Sequence, residues 1–335
     1  PIRPRVASRF TSGGAATGRA GMRVTVWGAR GSHPTPITPE QVRSKISTVL
    51  GRLRPEDLRS NDSKERFLAT LPEWLFGTVG GNTPCVEVVA DSEDRVLIDA
   101  GTGIVRFGDA FLARGERPPV FHIFFTHFHY DHLQGLPFFV PAYIPDAEVH
   151  FYSPIPEMDS IVTGQMRHPY FPVTMEDKMS RRLHFHHLRK EEIVIGGARV
   201  RWRKINHPGR AFAYRIDDGN RSFCHCSDVE LLDRDFEKND PNRSFFEGLD
   251  LLILDTQYTL GEAIEKYNWG HSSFSLGVDF ATAWKVKRLL LFHHEPKYDD
   301  KKLFHNLNSA RGDARSLGNK SLQVDLPIEG ESIEV

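Results

Sequence analysis

Apolar and polar residues alternate along RVTVWG (23–28) with the period of a half-buried strand, and the Gly-rich turn GARGS ends the run. GGNTPCVEVVA (80–90) and RVLIDAGTGI (95–104) read as a strand pair, followed by a helix over about 104–114. VFHIFFT (120–126) is apolar throughout, which suits a strand buried on both faces. Beyond it, EVHFYSP (148–154) is a strand, and 155–181, containing RHPYFPV, is less regular. LHFHHL (183–188), ARVRWRKIN (198–206), AFAYRIDD (211–218) and RSFCHCSD (221–228) form a run of strands with short turns. LDLLILDTQYT (249–259) is a further strand, a helix follows over 272–285, and KRLLLFHHEP (287–296) supplies the last apolar strand. Strands end repeatedly in His or Asp, with helices between them. That pattern predicts an α/β protein with its chemistry gathered along one edge of a sheet.

Residues 33–78 interrupt the strand pattern. Within them ITPEQVRSKISTVLGRL has apolar residues at helical spacing behind a Thr-Pro start, with Thr38 as the expected N-cap. This insert reads as a surface helix, a pocket cap or a homodimer contact. The first 21 residues, rich in Gly, Ala, Ser and Arg, read as an extension outside the fold. Residues 22–335 then read as one domain.

Composition narrows the function. The charges of 43 Lys and Arg against 44 Asp and Glu give −1, so no global basic field gathers long nucleic acid, and a small-molecule substrate is expected. Three cysteines, Cys85, Cys224 and Cys226, are too few for a disulfide framework and fit a reducing, cytoplasmic setting. No apolar run of about 18 residues occurs, so no membrane span is expected.

THFHYDHLQG (126–135) carries the chemistry. His127 and His129, two apart on an extended segment, point to the same side and can chelate one ion. Asp131 and His132 follow at the turn, where the backbone can redirect them to a second. Imidazole and carboxylate donors suit zinc, manganese or iron. An apolar helix start is expected after the motif. Cys224-His225-Cys226 looks metal-like, but alternate positions put both thiols on one strand face, as small buried hydrophobes. His186 and His187 read as solvated surface.

The His-x-His-x-Asp-His loop resembles the signature of the metallo-β-lactamase superfamily. LIDAGTG (97–103) fits the Asp-Gly-type turn that family places ahead of its motif. KINHPG supplies His207, CHCSD supplies Asp228 and LLLFHH supplies His293, with His294 as its neighbouring rival. The resemblance implies an αββα sandwich and two divalent ions, zinc first among them. One ion would be held by His127, His129 and His207, the other by Asp131, His132 and His293, with Asp228 bridging. Two ions about 3.5–4 Å apart would clamp an oxyanion and lower the pKa of a shared water toward about 7, making hydroxide the nucleophile, with Asp131 orienting it. Asp99 is a candidate partner for a ligand histidine.

WGHSSF (269–274) resembles the Gly-His-Ser-Thr-like segment of the phosphodiesterase branch, which includes the tRNA 3′-processing ribonuclease and cyclic-nucleotide phosphodiesterases. His271 would then aid the leaving group, while Ser272 or Ser273 would cap the following helix. The expected activity is hydrolysis of a phosphodiester of a small nucleotide, cyclic nucleotides included. A lactonase or thioesterase on the same scaffold and a metal-binding sensor without turnover are the alternatives. A processing ribonuclease is disfavoured, because no Gly-rich basic arm is evident. Asn82 reads as a turn residue or a site-loop tether, and PYFPV (169–173) as an aromatic wall or local packing.

Overall fold

Two sheets facing each other make the centre of the molecule, described by a computed structural model over residues 21–90, 95–115 and 120–335. All but Gly21 of the expected extension lies outside the described residues. The first sheet holds β1 (Arg23–Gly28), β2 (Cys85–Val89), β3 (Arg95–Ile98), β4 (Val120–Phe124), β5 (Glu148–Ser153), β6 (Arg182–His187) and β14 (Ser332–Glu334), in the order β14-β1-β2-β3-β4-β5-β6. The second holds β7 (Glu192–Ile195), β8 (Ala198–Ile205), β9 (Ala211–Asp218), β10 (Arg221–Cys226), β11 (Leu251–Asp255), β12 (Arg288–Phe292) and β13 (Gln323–Asp325), in the order β13-β12-β11-β10-β9-β8-β7. In each sheet, four adjacent strands pair in parallel, β3 to β6 and β10 to β13.

The helices are α1 (Pro39–Arg52), α2 (Asn61–Thr70), α3 (Gly103–Arg114), α4 (Met158–Gly164), α5 (Met175–Lys178), α6 (Asp233–Phe236), α7 (Asp240–Phe246), α8 (Leu260–Glu265), α9 (Phe274–Ala283) and α10 (Asp300–Ser316). Three apolar clusters set the layers. Val24, Phe124, Tyr214 and Phe292 meet between the sheets. Phe107 and Phe111 of α3 cover the outer face of the first sheet against Phe121 and Ile123. Phe280 of α9, Trp284 and Leu307 of α10 cover the second against Leu252 and Leu254. These layers form the αββα sandwich that the resemblance implies.

The insert is helical as read. Thr38 caps α1 by accepting from Gln41 N, and Thr38 N in turn donates to Gln41 Oε1. Phe67, Leu71 and Leu75 make a small cluster of their own, and Lys45 joins Asp300 at the start of α10 across 2.6 Å. Cys224 and Cys226 share the outer apolar cluster, as alternation predicts.

Some expectations fail for physical reasons. No helix follows the histidine motif: Leu136–Phe138 and Val140–Tyr143 are single 3-10 turns, interrupted by Pro137 and Pro141. β12 is not the last strand, because β13 and β14 follow, with α10 before them. His186 is not simply solvated, since its ring stacks on Tyr152 at 4.6 Å, whereas His187 is exposed and pairs with Asp159. Asn82 is a tether: its backbone and side-chain nitrogens both donate to the Glu329 carboxylate. PYFPV splits, with Tyr170 exposed and Phe171 packed edge-on to Phe138.

Candidate metal centre

β8 and β10 run the same way, so the ends of β8, β10, β11 and β12 meet those of β3 and β4 along one edge of the sandwich. The strands deliver these side chains from their last residues or from the turns that follow. Asp99, Asp228 and His293 all adopt left-handed backbone, with φ of 63°, 54° and 58°. Non-glycine residues avoid this region unless the surroundings hold them there, and it clusters at functional sites. Here it turns the chain sharply enough to aim each side chain inward.

Asp99 organises the entry to the motif. It accepts from Thr126 N at 2.8 Å and from Thr126 Oγ1, and the Nδ1–H of His132 donates to it at 2.8 Å. That bond leaves Nε2 of His132 facing the centre. His207 is turned in the same way by donating Nδ1–H to Gly270 O at 2.9 Å, and His293 by donating to Gln257 Oε1 at 3.2 Å. Ser32 N donates to Asp131 Oδ2 at 2.9 Å.

All seven residues expected as ligands converge, in two sets that share Asp228. His127, His129, His207 and Asp228 form one, and Asp131, His132, Asp228 and His293 the other, with the donor atoms of each set within 4.8 Å of one another. Asp228 Oδ1 lies 3.2 Å from His132 Nε2, and its Oδ2 lies 3.2 Å from His293 Nε2 and 3.7 Å from His127 Nε2. Asp131 Oδ2 lies 3.2 Å from His293 Nε2 and 3.4 Å from His132 Nε2. His129 Nδ1 and His207 Nε2 are 3.2 Å apart. Bonds of about 2.0–2.1 Å at tetrahedral angles would separate donors by about 3.3–3.5 Å. His294 is buried beside His293 but belongs to neither set.

The residues fit divalent ions on two further grounds. His127 Nε2 and His132 Nε2 are buried with no hydrogen-bond partner, a costly state for a polar atom without a compensating ligand. Burial also works against ionising Asp131 and Asp228, yet the surrounding histidines, His132 foremost, hold both carboxyls well below their usual range. Burial opposes charging His132 too, but Asp228, Asp131 and Asp99 raise it well above an ordinary histidine, a sign that three carboxylates draw positive charge to this point and not that the ring favours its ligating form. His127, His129 and His207 are pushed the other way, chiefly by burial, and so favour the neutral, ligating form.

His271 stands at the border of the two sets, stacked on His293 at 4.8 Å and 5.2 Å from the His207 ring. Its Nδ1–H donates to Asp255 Oδ2 at 2.6 Å. Burial lowers its pKa, but Asp255 outweighs that and lifts it to about 9. Asp255, His271 and His293 lie close enough to suggest a third set, but the Asp255 oxygens are already committed to His271, Val229 N and Gln257 N. Ser273 caps α9 by accepting from Leu276 N, and Ser272 bonds Val229 O and Leu231 N. The expected cap on this helix is thus made by Ser273.

Sequence reasoning missed Asp255 and Gln257, although Asp255 ends β11 and strand-end acids were the visible signal. His225, read only as part of the Cys224-His225-Cys226 run, has a place of its own. It lies on the opposite strand face from the two cysteines, fully buried, with Nε2 3.9 Å from Asp99 Oδ2, and burial pulls its pKa down to about 3.

The family model described as "Beta-lactamase superfamily domain" matches residues 94–294. Among solved structures, Zn(2+)-bound PqqB from Methylobacterium extorquens aligns with a TM-score of 0.61 at 13% identity, over 93% of this chain and 100% of that one. A diphosphatase from the PhnP family aligns at 0.59 with 19% identity, over 94% and 98%. The short form of human tRNase Z aligns at 0.55 with 15% identity, over 93% and 99%. No curated protein matches the sequence.

Proposed function

Because the chain belongs to the beta-lactamase superfamily, made up mostly of metal-dependent hydrolases, we propose that it is a two-metal phosphodiesterase acting on small nucleotides, cyclic ones included. One ion would be held by His127, His129 and His207, the other by Asp131, His132 and His293, with Asp228 common to both donor sets. Two zinc ions supply Lewis-acid charge for a phosphate oxygen and acidify water at the centre; manganese or iron would supply the same chemistry. Residues 22–335 act as one hydrolase unit, with the 33–78 insert beside it.

The observation that carries the phosphoester reading is the Asp255–His271 pair beside both donor sets. A departing alkoxide needs a proton, and an imidazole kept charged at neutral pH can give one. Asp255 fixes the ring so that Nδ1 is occupied and Nε2 is the group left to act. Asp131 aligns the water, its Oδ2 held in place by the Ser32 N–H. Fold likeness to a diphosphatase and a tRNase is in keeping with phosphoester chemistry. Three buried, unpaired cysteines support a cytoplasmic setting.

The test compares two substrates. His271→Ala should cut kcat about 10²–10⁴-fold on a diester with an alkyl leaving group, the usual range for a lost general acid. It should cost far less on bis(p-nitrophenyl) phosphate, whose leaving group needs no proton. Equal losses on both would sink the role of His271.

A further inference from the structure

A second histidine cluster lies on the face of the first sheet that points toward the second, away from the centre just described. His122, His150 and His184 occupy one register row across the parallel strands β4, β5 and β6. Their rings stack in sequence, 5.0 Å and 16° between His122 and His150, 4.6 Å and 18° between His150 and His184. Glu148 is two residues before His150 on β5 and shares its face. The row stands four residues before Thr126, about 13 Å along the strand at its ordinary rise, so it is separate from the strand-end centre.

The donor geometry resembles that of the centre. Glu148 Oε1 lies 3.3 Å from His150 Nε2 and 3.3 Å from His184 Nε2. Those separations are long for charged hydrogen bonds, but they match the donor spacing of about 3.3–3.5 Å around a tetrahedral ion. All three donor atoms lie within 4.8 Å of one another. The surroundings are also arranged for coordination. Arg182 takes the other carboxylate oxygen, Oε2, leaving Oε1 turned toward the histidines. His150 Nδ1 is 2.9 Å from His186 Nε2, so its far nitrogen is occupied and Nε2 is the one presented. His122 Nδ1 is likewise engaged, with the Tyr152 hydroxyl at 3.0 Å. The His184 side chain is 43% exposed and the others about half that or less, which leaves an entry path and room for a water as fourth ligand.

We propose that Glu148, His150 and His184 form a second metal site, which takes a divalent transition-metal ion of the zinc type and pins edge strand β6 to β5. Two imidazoles and one carboxylate select Zn²⁺, Co²⁺, Ni²⁺ or Cu²⁺ over Mg²⁺ or Ca²⁺. An edge strand offers unpaired backbone to other chains, and a cross-strand ion holds it in place.

The site is tested by metal stoichiometry on tag-free protein dialysed against buffered Zn²⁺, with Co²⁺ as a spectroscopic probe. Wild type should hold about one equivalent more than His184→Ala, with an additional visible Co²⁺ band, while the variant keeps its hydrolytic rate and circular dichroism. Glu148→Gln, which retains the shape of the side chain, should weaken the extra equivalent at least tenfold. Equal stoichiometry and identical Co²⁺ spectra in wild type, His184→Ala and Glu148→Gln would overturn the proposal and leave a plain hydrogen-bonded ladder. Should His184→Ala misfold, Glu148→Gln alone decides. Activity is read separately, so failure of the hydrolase reading would not touch this outcome.

Discussion

Asp99 spends its carboxylate on Thr126 and His132, and so sets the direction in which His132 presents Nε2. Removing such a partner usually costs 10–100-fold in metal affinity. Asp99→Ala should therefore weaken metal binding by about that factor, read by competition with a chromogenic chelator, while His127 and His129 remain to hold part of the centre. Unchanged affinity would mean that the orienting bond is dispensable. At this scale the sequence was informative wherever the chemistry is contiguous. His127, His129, Asp131 and His132 sit within one turn, and their donor types alone point to metal. Partners that act across the fold were illegible: Gln257 meets His293 from 36 positions away, and Asp255 meets His271 from 16. Only strand pairing brings them together, so nothing local marks them.

Strand ends, rather than strands, build the centre, and close backbone approach matters there as much as side-chain type. Gly31 follows β1 in the GARGS turn, where an added Cβ would fall 2.4 Å from the His293 ring. That ring is pinned by Gln257, so it cannot swing aside cheaply. Gly31→Ala should displace His293, lowering the metal bound with Asp131 and His132 and cutting turnover about 10²-fold, as misplacement of a positioning group does. Metal analysis and kcat check it, and full occupancy with normal rate would refute it. Long strands with clear alternation, such as β1 and β9, were legible from their pattern to the residue. β13 and β14 have three residues each, too few to show a period, and β7 has four. The turns after the histidine motif misled for a different reason: Leu136, Phe138 and Phe139 suggest a helix, but Pro137 and Pro141 hold the segment to single turns.

Across the whole molecule, the centre draws on both sheets, with His127 and Asp131 from one and His207, Asp228 and His293 from the other. Ions there would tie the halves of the sandwich together, so binding should stabilise the folded chain. At a free concentration 100 times Kd, one ion adds about 2.7 kcal/mol, or roughly 4 °C in Tm for a chain of this size. Chelation should lower Tm by at least that amount and zinc should restore it, measured by calorimetry; an unchanged Tm would argue that the cluster binds no metal. The layer order followed from the family resemblance, and the position of the insert did not, because its links to the body, such as Lys45 and Thr78 with Asp300, join residues more than 200 positions apart. Among the described residues no helix is long and apolar enough to cross a membrane. The central claim, a two-metal phosphodiesterase, is met most directly by titrating zinc into metal-stripped protein while following turnover of a cyclic nucleotide. Turnover should be absent without metal and rise to saturation near two equivalents, or near three if the Glu148 site competes for zinc. Turnover that survives stripping, or a fully loaded protein that cleaves lactones or thioesters but no phosphodiester, would contradict it.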